Sequence, residues 1–488
     1  MASKQSTPTA PRPRRPGLRG WAGPGGGAQR LVQPHPEWRG TTVQVCGLWP
    51  YAAGSGTPMV GVPLGRSVLT GSTVCCDPIS WFTRAGLIHN PSAFVLGQPG
   101  LGKSTVVRRM ALGLAAYGVH PMIFGDLKPD YVDLIRVLGG QVITLGRGRG
   151  YLNVLDPGET TEIAQRLTGD ARRSLQADAH GRRLNMTSAL ITILRKQPPT
   201  DREETILNSA LRVLDSKSSK VPVLADLVQV IKEAPEDVRS VALDRGSIER
   251  YRDITEHLES SLTSLLGSGR LGDTFSKHTS EPMRRDSPVS FDISGIDDSE
   301  TELQAAALLS CWSYGFGAVT AAQALADSGL EPQRHYFLVL DELWRVLRAG
   351  RGLVDRVDAL TRLNRQRGVG MAMVTHTMKD LLALPDESDR MKAKGFAERA
   401  GMVITGGLPR DEMPRLAEVV DMTSVEQKMV TSWSMPPGWD RRDEPPGRGN
   451  FLVKVGGRPG IPVHIDLTPS ELEINNTNRR WQKNPETV

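Results

Sequence analysis

Residues 93–117 read AFVLGQPGLGKSTVVRRMALGLAAY, and the fold turns on this stretch. Ala93–Leu96 is a short, wholly apolar run of the kind that forms a buried strand. The loop GQPGLGKS at 97–104 follows and fits G-x-x-x-x-G-K-[ST] through Gly97, Gly102, Lys103 and Ser104. Ser104–Tyr117 then carries helical periodicity, with Gly118 as its stop. The spacing has a physical cause. Glycines let the loop curl until its N–H groups point inward at a phosphate. The helix that starts near Lys103 adds the positive end of its dipole. The pattern makes Gly97, Gln98, Pro99, Gly100, Leu101, Gly102, Lys103, Ser104 and Thr105 the nucleotide-binding residues. ATP is the expected ligand. Lys103 reaches the β- and γ-phosphates, and the Ser104 hydroxyl ligates Mg²⁺.

Such a loop needs a carboxylate at the end of a neighbouring strand to hold the metal. HYFLVLDELW at 335–344 supplies one. Tyr336–Leu340 is a buried-strand run, and Asp341 and Glu342 emerge at its C-terminal edge, where open α/β sheets bind ligands. Asp341 is the metal-side acid. Glu342 is placed to orient or deprotonate an attacking water, which makes it the catalytic carboxylate beside Lys103. A third strand, GMAMVT at 370–375, ends at Thr375-His376. His376 is either a sensor of the γ-phosphate or a surface-loop histidine. Arg362, Arg365 and Arg367 precede that strand. They are either a solvated basic helix end or a source of the arginine that, in ring ATPases, completes a neighbour's site.

Working outward, short β-like runs occupy 41–90, Thr41–Cys46 and Ser67–Cys76 among them. Beyond the loop, Met122–Phe124 and Gln141–Leu145 read as strands around a helix at Tyr131–Leu138, an alternation that argues for a parallel α/β sheet. From 158 to 287 helices dominate: Glu162–Leu175, Leu184–Lys196, Glu203–Lys217, Leu224–Ile231 and Ile248–Leu266. Strand patterning resumes at Val289–Ile293, then come a helix near Val354–Arg365 and closing strands at Phe451–Val455 and Val463–Ile465 around a Gly457–Gly460 turn. The expected organisation is a basic tail at 1–40, strands and the first half of an ATPase domain at 41–157, and an all-helical insertion at 158–287. The second half of that domain covers 288–471, and a polar tail 472–488.

Composition narrows the classes. The 488 residues carry a net charge of +6. Residues 1–40 hold seven basic side chains against Glu37, which accounts for the whole excess and leaves the body neutral. This Pro/Gly-rich tail buries too little apolar surface to order itself. It is either solvated or a weak electrostatic contact for nucleic acid or anionic lipid. Four scattered cysteines, Cys46, Cys75, Cys76 and Cys311, make no disulfide framework or zinc pattern, and a cytoplasmic setting fits them best. The 24 residues between Glu302 and Asp327 carry no charge. Being mostly Ala, Gly, Ser, Thr and Gln, they read as a buried core helix rather than a membrane span.

Further motifs resemble one family in order. FGDLKPDYVDLIRVLGG (124–140) is similar to the Asp-x-Lys-x-acid-Tyr segment of FtsK/HerA-type motors. GYLNVLD (150–156) resembles the Asn-Pro-Leu-Asp turn before the helical insertion in the ATPases of type IV secretion and conjugal transfer. FDISGI (291–296), DELW (341–344) and FLVKVGGRPGIPVHIDLTPSE (451–471) match that family's order, so the resemblance spans roughly residues 60–471. It implies a RecA-like P-loop NTPase with a mostly parallel sheet and an all-helical inserted subdomain. The implied function is ATP hydrolysis in a homo-hexamer that powers assembly of, or transfer through, a membrane secretion channel, with the chain at the inner face of the cell membrane. Residues 1–59 are shorter than the family's usual N-terminal domain, Val154 replaces the usual Pro, and His376 stands where Gln is usual.

Two other classes compete. A DNA-translocating motor of the coupling-protein or FtsK type would use DNA as partner, and ATPase stimulation by double-stranded DNA separates it from the first reading. A nucleotide-gated assembly scaffold would need no water-activating residue, and Glu342 argues against it.

Overall fold

The computed structural model describes residues 58–217, 221–267, 271, 273–361, 368–436 and 445–474. The basic tail, the expected strand Thr41–Cys46, and Arg362, Arg365 and Arg367 lie outside the described residues.

Among the described residues the strands are β1 (Pro63–Ser67), β2 (Thr73–Cys75), β3 (Ser92–Leu96), β4 (Val119–Asp126), β5 (Gln141–Thr144), β6 (Val289–Asp292), β7 (His335–Leu340), β8 (Val369–Val374), β9 (Met402–Thr405), β10 (Asn450–Lys454) and β11 (Ile461–His464). They form one sheet in the order β2-β1-β11-β10-β9-β3-β8-β7-β4-β6-β5. From β9 to β5 every pairing is parallel, whereas β10, β11, β1 and β2 extend the sheet antiparallel. The parallel strands are apolar on both faces because both faces are covered. In β7, Tyr336, Leu338 and Leu340 enter the core on one side, and Phe337 and Val339 enter that on the other. This is the two-residue period of a pleated strand.

The first helices are α1 (Pro78–Thr83), α2 (Lys103–Ala116) and α3 (Val132–Val137). Val106, Val107, Met110 and Leu114 bury one face of α2 against the core that holds Ala93, Val95 and Val339. Between β5 and β6 the described regular elements are helices alone: α4 (Thr160–Arg166), α5 (Gly169–Arg195), α6 (Asp201–Lys217), α7 (Leu224–Glu233), α8 (Glu236–Ala242) and α9 (Ile248–Ser264). Then come α10 (Thr301–Asp327), α11 (Leu343–Arg348), α12 (Leu353–Thr361), α13 (Met378–Leu382), α14 (Glu387–Glu398), α15 (Met413–Ala417), α16 (Ser424–Ser432) and α17 (Pro469–Ile474).

Helix α10 is the uncharged stretch, and 83% of its most apolar window is buried. It lies on the sheet opposite α2, where the Trp312 indole N–H donates to the Phe124 carbonyl at 2.6 Å. A Cβ on its Gly315 would come within 2.2 Å of the Phe124 ring, so the missing side chain is what lets α10 approach β4.

Several expectations are corrected. Ser67–Cys76 is not one run but the hairpin of β1 and β2, turned where the Ser67 hydroxyl accepts the Leu69 and Thr70 amides. The segments Glu162–Leu175 and Leu184–Lys196 divide elsewhere. Leu167 and Thr168 are extended and end α4, and α5 then runs unbroken through the polar stretch around Gly181. β4 begins three residues before Met122, because Val119–Pro121 pair with His335–Phe337 of β7. α8 and β9 are elements that the patterning did not reveal.

Candidate active site

The C-terminal ends of β3, β4, β7 and β8 open into a cleft of about 840 Å³. Where β3 ends, the loop is pinned from both sides. The Gly97 N–H donates to the His376 carbonyl and the Gln98 N–H to the Gly407 carbonyl, each at 3.0 Å. Gly100 and Gly102 take φ of +83° and +101°, a region costly for residues with a Cβ. No side chain caps α2 at Gly102, so the helix presents its first N–H groups without an internal acceptor.

Six of the nine expected nucleotide-binding residues line the cleft: Pro99, Gly100, Gly102, Lys103, Ser104 and Thr105. Gly97, Gln98 and Leu101 do not. Gly97 and Gln98 tether the loop, and Leu101 is buried, its carbonyl accepting the Gly449 N–H at 3.1 Å. The Lys103 ammonium is the group that calls for a ligand. The residue is 8% exposed, and burial pulls its pKa down to about 8 against the opposing pull of Asp341 and Glu342. Among the described residues no carboxylate lies within ion-pair distance of it. A buried cation facing a cleft is compensated by an anion, and a phosphate fits.

Asp341 and Glu342 stand at the end of β7, as expected. The Asp341 carboxylate accepts the Tyr131 hydroxyl at 3.0 Å and the Glu342 amide at 2.8 Å. Burial, with the Glu342 charge, pushes its pKa up to about 6. A neighbouring cation would reverse that shift, which makes the site a sound place for a metal. Glu342 adopts φ +53°, uncommon for a residue with a side chain and a form of backbone strain found at functional sites. Its carboxylate accepts the Trp344 indole N–H at 2.6 Å and lies 3.4 Å from His376 Nε2 and 3.6 Å from Lys128 Nζ. Burial alone would raise its pKa, but His376, Lys128 and Trp344 outweigh burial and hold it near 2.

The structure thus brings His376 to Glu342, away from an open surface loop. Its Nδ1 is buried without a hydrogen-bond partner, as is the hydroxyl of Thr375 before it. The segment Asp126–Tyr131, at the end of β4, also enters the cleft, and its contribution escaped the sequence reading. Asp126 is 2% exposed, and its carboxylate accepts the amides of Asp130 and Tyr131 at 2.8 and 2.7 Å. Burial raises its pKa to about 7. Asp130 in turn accepts the Ser104 hydroxyl at 2.7 Å. The signal was available, because DLKPDY follows a buried strand just as DEL does.

No protein-family profile matches the chain, and no curated protein sequence matches it. Solved structures do. VirB4 of Thermoanaerobacter pseudethanolicus superposes with a TM-score of 0.59 at 17% identity, covering 86% of this chain and all of the other. The bacterial conjugative coupling protein TrwB, in a form with sulphate, gives 0.50 at 14% identity over 78% of this chain and 86% of the other. TrwB with the non-hydrolysable ATP analogue ADPNP gives 0.50 at 14% identity over 79% and 87%. The likeness shows the fold: this chain shares with these structures a large mixed sheet of mostly parallel strands covered by helices.

Proposed function

We propose that this chain is an ATP-hydrolysing motor of the type IV secretion and conjugal transfer family, working on channel assembly or on the transfer of DNA or protein. The observation that carries the reading is the convergence of Lys103, Ser104, Asp341 and Glu342 on one cleft, in a fold shared with the whole of the solved VirB4 chain. TrwB was solved with an ATP analogue, which supports ATP as the ligand here.

Lys103 neutralises the β- and γ-phosphates, and the N–H groups of Gly100–Ser104 cradle them. Ser104 and Asp341 would hold Mg²⁺, which draws off charge that develops on the phosphate oxygens. Glu342 aims a water at the γ-phosphorus. Its low pKa suits orientation of that water better than removal of a proton. His376, joined to Glu342 through Nε2 and to the loop through its carbonyl, is suited to report whether a γ-phosphate is present. We assign the helical stretch between β5 and β6 to an inserted subdomain. A homo-hexameric ring at the cytoplasmic face of the membrane would bring one of Arg362, Arg365 or Arg367 to a neighbour's cleft.

The likeness to TrwB favours a second reading, a coupling-protein-type motor that moves DNA. Measuring ATP turnover against oligomeric state, with and without double-stranded DNA, decides between them. Turnover in an oligomer that ignores DNA supports the first reading, strong stimulation by DNA replaces it with the second, and absence of turnover removes both.

A further inference from the structure

The segment Asp126–Tyr131 touches both residues assigned to the metal. Asp130 Oδ2 accepts the Ser104 hydroxyl proton at 2.7 Å, and the Tyr131 hydroxyl donates to Asp341 Oδ2 at 3.0 Å. The segment is itself held in place. Asp126 accepts both main-chain amides, and Arg108 Nη1, from the next turn of α2, donates to the Asp130 carbonyl at 2.6 Å. Asp130 is therefore anchored through its backbone at two points, and its carboxylate is free to act on Ser104.

A serine hydroxyl carries one proton and two lone pairs, and unrestrained it rotates among staggered wells. Near a helix N-terminus it can also turn its proton toward backbone carbonyls. A carboxylate that takes the proton removes this freedom. The oxygen then presents its lone pairs away from Asp130, and the oxygens that orient metal ligands in this way tune metal affinity.

We propose that Asp130 is a positioning residue for the divalent cation: by binding the Ser104 proton it fixes the serine oxygen as a ready ligand for the metal that accompanies a nucleoside triphosphate. The inference rests on the nucleotide-site reading above. Asp130 acts through Ser104, so it sets the metal dependence of nucleotide binding; as a cleft carboxylate it repels a triphosphate, so its loss does not weaken metal-free nucleotide binding.

The test is the affinity of the full chain for a fluorescent ATP analogue, titrated with Mg²⁺, together with direct Mn²⁺ binding by electron paramagnetic resonance in the presence of the nucleotide. Asp130→Ala should raise the cation concentration for half-saturation by roughly 10–100-fold, the scale of lost outer partners at metal sites. Asp130→Asn, which keeps an acceptor oxygen within reach of Ser104, should recover most of that loss. In a Ser104→Ala background Asp130→Ala should add nothing, since the partner it acts through is gone.

Unchanged cation half-saturation in Asp130→Ala overturns the inference while leaving the nucleotide site standing. So does an additive loss in the double variant, or a loss in Asp130→Asn equal to that in Asp130→Ala. Failure of the unmodified chain to bind the analogue at any Mg²⁺ concentration would instead overturn the nucleotide reading and the inference with it. If Asp130→Ala does not fold, Asp130→Val, which also lacks an acceptor, carries the same comparison alone and paired with Ser104→Ala.

Discussion

Replacing Glu342 by Gln isolates charge from shape. The side chain is buried, and its Oε2 holds the Trp344 indole N–H at 2.6 Å, a bond that an amide oxygen can keep. The other end changes character, because an amide NH₂ would then face Lys128 Nζ, which the carboxylate oxygen holds at 3.6 Å. With its pKa near 2, Glu342 is ionised throughout the neutral range, so the substitution removes a full negative charge. Loss of a water-orienting base costs roughly 10²–10⁴ in turnover, or about 3–5 kcal/mol of barrier. Binding should move the other way. Glu342 adds repulsion toward a triphosphate, so the variant should bind ATP as tightly as the unmodified chain, or more tightly. Phosphate release at saturating ATP and fluorescent-nucleotide titration on one preparation read both quantities. Turnover within about 3-fold of the parent, less than 1 kcal/mol of barrier, refutes the assignment of Glu342. So does a matching loss of binding, which would mean that the residue only holds the cleft open.

Three further perturbations follow from the same contacts. A Cβ on Gly407 would lie 2.5 Å from the Trp433 carbonyl oxygen and 2.7 Å from Leu101 Cδ1. Gly407→Ala should therefore destabilise by about 1–3 kcal/mol and weaken ATP affinity through the Gln98 tether, although Gly407 is not among the cleft-lining residues; melting with unaltered affinity would disprove the tether's role. Trp312→Phe strands the buried Phe124 carbonyl and should cost about 1–3 kcal/mol in denaturant unfolding; a neutral effect would mean that the carbonyl finds another donor. Glu331 is held near pKa 2, below its ordinary 4.5, chiefly by its hydrogen bond from Arg334, against the opposing pull of burial and with further help from Arg166 and Arg285. A depressed carboxylate stabilises above its unfolded pKa and loses that contribution as pH falls toward the folded value. Glu331→Gln should thus cost about 1–3 kcal/mol at neutral pH and progressively less between pH 4.5 and 2; a stability gap independent of pH refutes this.

What the sequence disclosed and what it hid divide along physical lines. Gly97, Gly102, Lys103 and Ser104 stand at offsets that one loop geometry imposes, and the apolar runs before Gly97 and Asp341 are long enough to be strands. Local chemistry therefore exposed the loop, both acids and the neighbouring histidine. β9 carries only MVIT between two glycines, too few residues for a period to show, yet it pairs with β3 and its following Gly407 steadies the loop. The polar stretch around Gly181 looked like a break and is helix, because neighbouring turns of α5 pack on α10 and override the weak propensity there. Asp130 and Ser104 are 26 residues apart, and only the parallel placement of β3 and β4 makes them neighbours. DLKPDY was recognisable as a motif, but its partner was a property of the fold.

Helix α10 has a mechanical consequence. Its first turn carries Gln304, whose side-chain oxygen accepts Arg345 Nη1 at 2.5 Å, and Arg345 Nε lies 3.9 Å from the Glu342 carboxylate. Near its other end, Ala321 and Leu325 pack with Ile163 and Leu167 of the α4 region and Leu175 of α5. At 1.5 Å per residue, Gln304 and Leu325 are about 30 Å apart on one uninterrupted rod. A rod gripped by core along most of its length resists bending, so the positions of its two tips are tied to each other. The acid cluster and the distant helices thus rest on opposite ends of one continuous helix.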